Sequence, residues 1–313
     1  MKKKWKYVIL GSVATLSLGM YGSVKYFYNY AVKRGDKEFM SSEEASGSGH
    51  PERPYQKWTF LQQTPKTWSL KNHDGLELKA EYLPQATQKE KHKLMILVHG
   101  YTSRGTLLED YAKMFYDLGY DLLIPDLRGH GRSEGDYIGF GWPDRLDIVD
   151  WCNKVVDHYH GQVEIGLWGI SMGGATVMMA SGEHLPSQVK AIIEDCGYTS
   201  TKAELDYQLK QQFNLPSFPI EPLTSAYVDY KDHYNFEESD SLAQLKKNKL
   251  PMLFIHGTED KFVPFDMVEE CYDATKGPRE LYVVKGAHHA KSFEQDPVKY
   301  REVVEKFLNK YMQ

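Results

Sequence analysis

Short apolar runs recur along the chain at Leu94–Val98, Tyr120–Pro125, Val163–Trp168, Val189–Glu194, Pro251–His256 and Leu281–Val284. Runs of this length without alternation predict strands buried on both faces. Between them, Thr106–Leu118 and Asp144–Tyr159 carry apolar residues at helical spacing, the first ended by Gly119. In the second, Leu146, Val149, Val155 and Val156 are expected to face inward. Pro297–Tyr311 predicts a closing helix. Upstream, Trp68–Leu70 and Leu76–Tyr82 alternate around Asn72-His73-Asp74-Gly75, the pattern of an antiparallel hairpin. Strand–helix alternation implies an α/β fold: a mostly parallel sheet covered by helices on both faces. No internal repeat is visible.

The alternation breaks between Thr199 and Lys249, where Tyr207, Phe213, Phe218, Tyr227, Tyr230, Tyr234 and Phe236 cluster. This insert reads either as a small cap roofing a pocket or as ordinary helix packing on the sheet. Its acids Glu237, Glu238 and Asp240 read as a solvated face.

The candidate chemistry sits at the ends of the strand runs. Val163–Trp168 leads into Gly169-Ile170-Ser171-Met172-Gly173, and a helix-forming run follows. Such a strand–turn–helix projects a serine hydroxyl into the open, with glycines where neighbours press close. The Met172 amide, at the helix start, can then point at a developing oxyanion. Pro251–His256 runs into Gly257-Thr258-Glu259-Asp260, placing Asp260 on a loop at a strand's carboxyl end, with Glu259 as the alternative acid. Leu281–Val284 runs into a loop bearing His288 and His289, of which His289 is the preferred base. The order Ser171, Asp260, His289 is that of a nucleophile, acid and base on one sheet edge.

At these residues the chain resembles the α/β-hydrolase family, and more narrowly the membrane-anchored serine hydrolases of Gram-positive bacteria, akin to cinnamoyl-esterase-like and serine-aminopeptidase-like members. The resemblance covers about Trp68 to the C-terminus. It includes Asp74-Gly75-Leu76-Glu77-Leu78 and Asp126-Leu127-Arg128-Gly129-His130-Gly131-Arg132-Ser133. It implies the α/β-hydrolase fold with a small helical cap, a catalytic triad of Ser171, Asp260 and His289, and oxyanion amides from Tyr101 and Met172. One departure is that His288 stands where the family usually has glycine. His99 is expected to brace the loop at Tyr101. Arg128, His130 and Arg132 either brace neighbouring loops or contact a charged substrate group.

Composition then narrows the class. A net charge of -5 and 26% charged residues, with no basic stripe, point away from nucleic acid. No phosphate loop with its lysine and no histidines at metal-ligand spacing are present, so neither cofactor nor metal is expected. The 3 cysteines, Cys152, Cys196 and Cys271, are scattered and read as buried thiols.

At the N-terminus, Lys2, Lys3, Lys4 and Lys6 precede an uncharged stretch from Tyr7 to Val24. As a helix it would be roughly 27 Å long, near the ~30 Å hydrocarbon thickness of a bilayer. Tyr21, Tyr26, Phe27, Tyr28 and Tyr30 read as an interfacial aromatic belt. The expectation is a signal-anchor over residues 1–34, a polar linker over 35–56 and a hydrolase domain over 57–313, with the cap at 199–249. The catalytic body then lies outside the cell membrane. A cleaved secretory signal is the competing reading. The expected function is hydrolysis of small-molecule carboxylic esters through an acyl-enzyme. Exopeptidase or amidase, acyltransferase and a non-catalytic binding module are the alternatives.

Overall fold

The computed structural model describes residues 19–35, 37, 60–86 and 92–312. The strands are β1 (Lys66–Lys71), β2 (Glu77–Leu83), β3 (His92–Val98), β4 (Asp121–Pro125), β5 (Val163–Ile170), β6 (Val189–Asp195), β7 (Met252–Gly257) and β8 (Arg279–Val284). They form one sheet in the order β1-β2-β4-β3-β5-β6-β7-β8. Only β2 runs against its neighbours; every pairing from β4 across to β8 is parallel.

The helices are α1 (Glu109–Asp117), α2 (Asp144–His158), α3 (Met172–Ala180), α4 (Thr201–Phe213), α5 (Ile220–Asp232), α6 (Ser241–Leu245), α7 (Asp266–Ala274), α8 (Ser292–Gln295) and α9 (Pro297–Tyr311). Because side chains alternate along a strand, each central strand feeds two cores. Leu94, Ile96, Val98, Ile165 and Leu167 enter one, while Met95, Leu97, Trp168, Ile170 and Ile193 enter the other. This double burial is why those strands read as unbroken apolar runs.

The hairpin forms as predicted, with Asn72 Oδ1 accepting from the amides of Asp74 and Leu76 and Gly75 at φ 84°. The phase of α2 differs from the expectation. Its buried face is Asp144, Asp147, Ile148, Trp151, Cys152 and Val155, whereas Leu146, Val149 and Val156 lie only partly buried. The cause is a buried ion pair. Arg128 donates Nε and Nη2 to the two oxygens of Asp147, each at 2.6 Å, so an acid occupies the inner face. Hydrophobicity alone cannot register such a pair.

Between β6 and β7, where the cap is expected, the chain forms α4, α5 and α6. Its aromatics meet three fates. Tyr234 and Phe236 are core, Phe213 faces a cavity, and Phe218 and Tyr230 are exposed. Glu237 accepts from Ser225 Oγ, Glu238 from the Asn235 amide, and Asp240 caps α6 through the Ala243 amide.

The N-terminal segment departs most from expectation. Residues 19–27 are helical and Tyr28–Val32 widen into a π-turn. This turn does not stand apart from the body. Tyr28 and Val32 are buried in the larger core, burials that stabilise the docking by roughly 1.5–3 kcal/mol each. Lys33 bridges to Tyr137, and Arg34 donates to the carbonyls of Gly131, Ser133 and Gly135. Of the expected aromatic belt, Tyr21 and Tyr26 are exposed, but Phe27, Tyr28 and Tyr30 pack on the protein. Among the described residues no helix is long and apolar enough to cross a membrane; most of the stretch 7–24 and of the linker lies outside them.

Candidate active site

The site is assembled at the carboxyl ends of β3, β5, β6, β7 and β8, where a parallel sheet gathers its loops on one rim. Ser171 occupies the turn between β5 and α3 at φ 57° and ψ −120°. A non-glycine residue held there costs on the order of 1–3 kcal/mol, offset by the packing around it. That packing is close. A Cβ on Gly169 would lie 2.1 Å from the Gly173 carbonyl oxygen, and one on Gly173 2.1 Å from that of Val98. Only glycine at both positions lets the turn sit this tightly against α3 and β3. The Ser171 amide donates to the Asp195 carbonyl at 2.8 Å, tying the turn to β6 as well.

Ser171 Oγ lies 2.8 Å from His289 Nε2, and His289 Nδ1 lies 2.8 Å from Asp260 Oδ2. His289 is buried, whereas His288 points to solvent; the loop turns at Ala290, φ 56°. Asp260 is buried and Glu259 exposed. The structure thus brings together the three residues preferred from sequence and leaves their neighbours outside. Asp260 is held from several sides. Its Oδ1 accepts the amides of Phe262 and Val263 at 2.9 Å each, and its Oδ2 lies 3.3 Å from His256 Nε2. His256 was not singled out in the sequence, although its place on β7, four residues before the acid, aims it at the same loop.

Burial opposes charge on both members of the pair, yet each stabilises the other. Burial would lower the His289 imidazole, but the Asp260 charge and its hydrogen bond outweigh this and hold it above its ordinary value. Burial would raise Asp260, and the facing His289 and His256 hold it well below the usual carboxylate range. A base must be neutral to take a proton, so activity should rise with pH. We expect the acidic limb of kcat/KM to lie above about 6.5, the ordinary imidazole value. A pH profile with a short ester checks this; a limb below that value would mean that Asp260 does not govern the base.

Met172 opens α3 and Tyr101 follows β3, and both line the same cavity as Ser171. The Tyr101 loop is clamped by two histidines. Buried His99 contacts the Gly100 carbonyl through Nδ1 at 2.8 Å, and its Nε2 accepts from the Leu127 amide. His130 contacts the Arg128 carbonyl through Nδ1, and its Nε2 accepts from the Thr102 amide. Burial lowers both imidazoles, that of His130 to about 3, so both stay neutral and keep these single tautomers. Arg128 and Arg132 are likewise held by Asp147, Asp74, Glu81 and Asp126 rather than by the cavity. These residues brace loops.

Ser171 opens into a cavity of roughly 630 Å³ of empty space, partly open to solvent. Its walls are mostly apolar, with Phe140, Tyr198, Leu205, Leu209 and Phe262 among them. Glu204 is the acid among the lining residues, beside the polar Gln208 and Gln212. It is 5% exposed, its Oε1 accepts from Gln208, and its buried Oε2 has no hydrogen-bond partner among the described residues. Burial pushes its carboxyl up to about 8. Nothing in its sequence surroundings distinguishes Glu204 from a surface acid of an amphipathic helix. Cys196, at the end of β6, lies beside the triad, but burial pushes its thiol well up, so it stays protonated.

Comparisons agree with this architecture. The family model described as "alpha/beta hydrolase fold" matches residues 93–219, the stretch carrying β3 through the nucleophile turn to α4. The uncharacterised protein YqkD of Bacillus subtilis is 26% identical over 304 residues, covering 96% of this chain and 95% of YqkD. Among solved structures, an esterase of Pyrococcus furiosus superposes with a TM-score of 0.66 at 23% identity, covering 84% of this chain and 98% of the esterase. An acylaminoacyl peptidase of Pyrococcus horikoshii gives a TM-score of 0.62 at 21% identity, over 78% of this chain and 41% of that one. With its one antiparallel strand β2, its nucleophile turn and the family model matched over residues 93–219, this chain has the α/β-hydrolase fold.

Proposed function

We propose that this chain is a serine hydrolase of carboxylic esters, held by its N-terminal stretch at the outer face of a cell membrane of the Gram-positive type. The observation that carries the chemistry is the continuous line Asp260–His289–Ser171, with both hydrogen bonds at 2.8 Å. Ser171 Oγ attacks the acyl carbonyl as His289 takes its proton, and the amides of Met172 and Tyr101 receive the oxyanion. His289 returns the proton to the leaving alcohol, giving an acyl-enzyme. Water activated by the same imidazole releases the acid and restores Ser171. Every proton in this cycle passes through His289.

The membrane reading rests on the basic start and the uncharged stretch from Tyr7 to Val24. The burial of Tyr28 and Val32 argues against cleavage between residues 28 and 35, which would strip a core element from the body.

A second reading, amidase or exopeptidase, is favoured by Glu204. The amide-cleaving alternative needs a carboxyl facing a substrate ammonium, and Glu237, Glu238 and Asp240 are engaged in turns and caps. Glu204 lines the cavity, and its buried Oε2 has no hydrogen-bond partner among the described residues. A panel of nitrophenyl esters and aminoacyl-nitroanilides on the full chain in detergent separates the two, with Ser171→Ala as control. Short to medium acyl esters should turn over fastest. Faster nitroanilide cleavage would move the assignment to the amidase reading.

A further inference from the structure

The cavity has a wall that the triad chemistry does not itself require. Phe27, Tyr30 and Ala31, from the end of the N-terminal helix, line it together with Phe213 of α4. The rings of Phe27 and Tyr30 meet Phe213 edge-on at 5.1 and 5.2 Å. Tyr30 Oη donates to Gln212 Oε1 at 2.6 Å. From there hydrogen bonds run from Gln212 to Gln208 and from Gln208 to Glu204, down the cavity side of α4. Tyr101 donates its hydroxyl to the Ala31 carbonyl at 2.7 Å, so the proposed oxyanion loop also leans on this segment. Beyond it, the hydrogen bonds of Arg34 fix the segment's exit from the cavity.

We propose that Phe27, Tyr30 and Ala31 form the specificity wall of the acyl site, selecting esters of an uncharged hydrocarbon chain several carbons long. The proposal rests on the ester-hydrolase reading and adds the substrate class. Its physical basis is that Phe27, Phe213 and the ring of Tyr30 offer apolar surface with no charge to neutralise. A hydrocarbon chain gains there by leaving water, and a charged acyl group would lose its hydration without return. On this proposal only the longer chain engages the wall, and an acetyl ester serves as the reference. The segment that the sequence assigns to the membrane anchor is thereby also a substrate-binding element.

The test compares acetyl and octanoyl nitrophenyl esters on the full chain in detergent, for wild type, Phe27→Ala and Phe27→Trp. Phe27 is only partly buried, so truncating it removes little core. Phe27→Ala should lower kcat/KM for the octanoyl ester about 10-fold through KM and leave the acetyl ester within about 2-fold. Phe27→Trp, which narrows the cavity, should shift preference toward shorter chains. Equal losses on both esters would mean a merely structural role, and unchanged ratios in both variants would mean that the chain binds elsewhere; either overturns the proposal. A fluorophosphonate probe on the same samples separates the two levels. Wild type that fails to label at Ser171 sinks the hydrolase reading and this one with it. Labelled variants with unshifted ratios sink only the wall.

Discussion

Replacing Ser171 with alanine should lower kcat on a short nitrophenyl ester by about 10⁶-fold while leaving the fold intact. The size of the effect follows from the geometry. Without Oγ there is no nucleophile 2.8 Å from His289 Nε2, and the neighbouring Cys196 cannot substitute, because its buried thiol stays protonated. What survives is the oxyanion site acting on water, a small residue of the original acceleration. Alanine is smaller than serine and fits the same tight turn, so the thermal midpoint should move little. Circular dichroism melting beside the kinetics separates loss of chemistry from loss of structure. Retention of more than about a hundredth of wild-type kcat would remove Ser171 from the mechanism.

Asp260→Asn should cost about 10⁴-fold in kcat for a different reason. In the structure Oδ1 of Asp260 accepts two backbone amides, from Phe262 and Val263, while Oδ2 faces His289 and His256. An asparagine must keep its oxygen toward the two amides, so its NH₂ group faces His289. The imidazole is then forced to accept at Nδ1 and to carry its proton on Nε2, the tautomer that cannot take a proton from Ser171. The variant also loses the charge that holds the His289 imidazole above its ordinary value, so the acidic limb of the pH profile should move downward. A large fall in kcat without that displacement would point to misfolding of the loop. The displacement without the fall would assign Asp260 to electrostatics alone.

The parts of this molecule that the sequence makes legible share one physical origin. A parallel strand buried on both faces is an unbroken apolar run, and the polar residues just beyond it stand on the sheet's functional rim. That logic reaches Ser171, Asp260 and His289 without coordinates, and the burial of His289 against the exposure of His288 resolves the doubled histidine. Where polar groups are buried in pairs, the logic fails. The ion pair of Arg128 with Asp147 rotates α2 away from the face its hydrophobic residues suggest. Glu204 is hidden for another reason: an acid in an amphipathic helix looks identical whether the face beneath it is water or a cavity. The aromatic residues from Tyr26 to Tyr30 illustrate a third limit. Rings at a bilayer interface and rings around an apolar cavity obey the same preference for a half-wet, half-dry setting, and composition alone cannot choose.

The docking of residues 28–34 changes what the polar run from Ser41 to Pro54 can accomplish. A leash lengthens reach only if one end is free of the load, and here the chain is already fastened on the body at Arg34 before that run begins and rejoins it at β1 after it ends. Residues 19–24 therefore connect to the catalytic body through a few residues of helix. The helix over residues 19–27 is thus held against the cavity wall by short-range packing, with no polar run between it and the active centre.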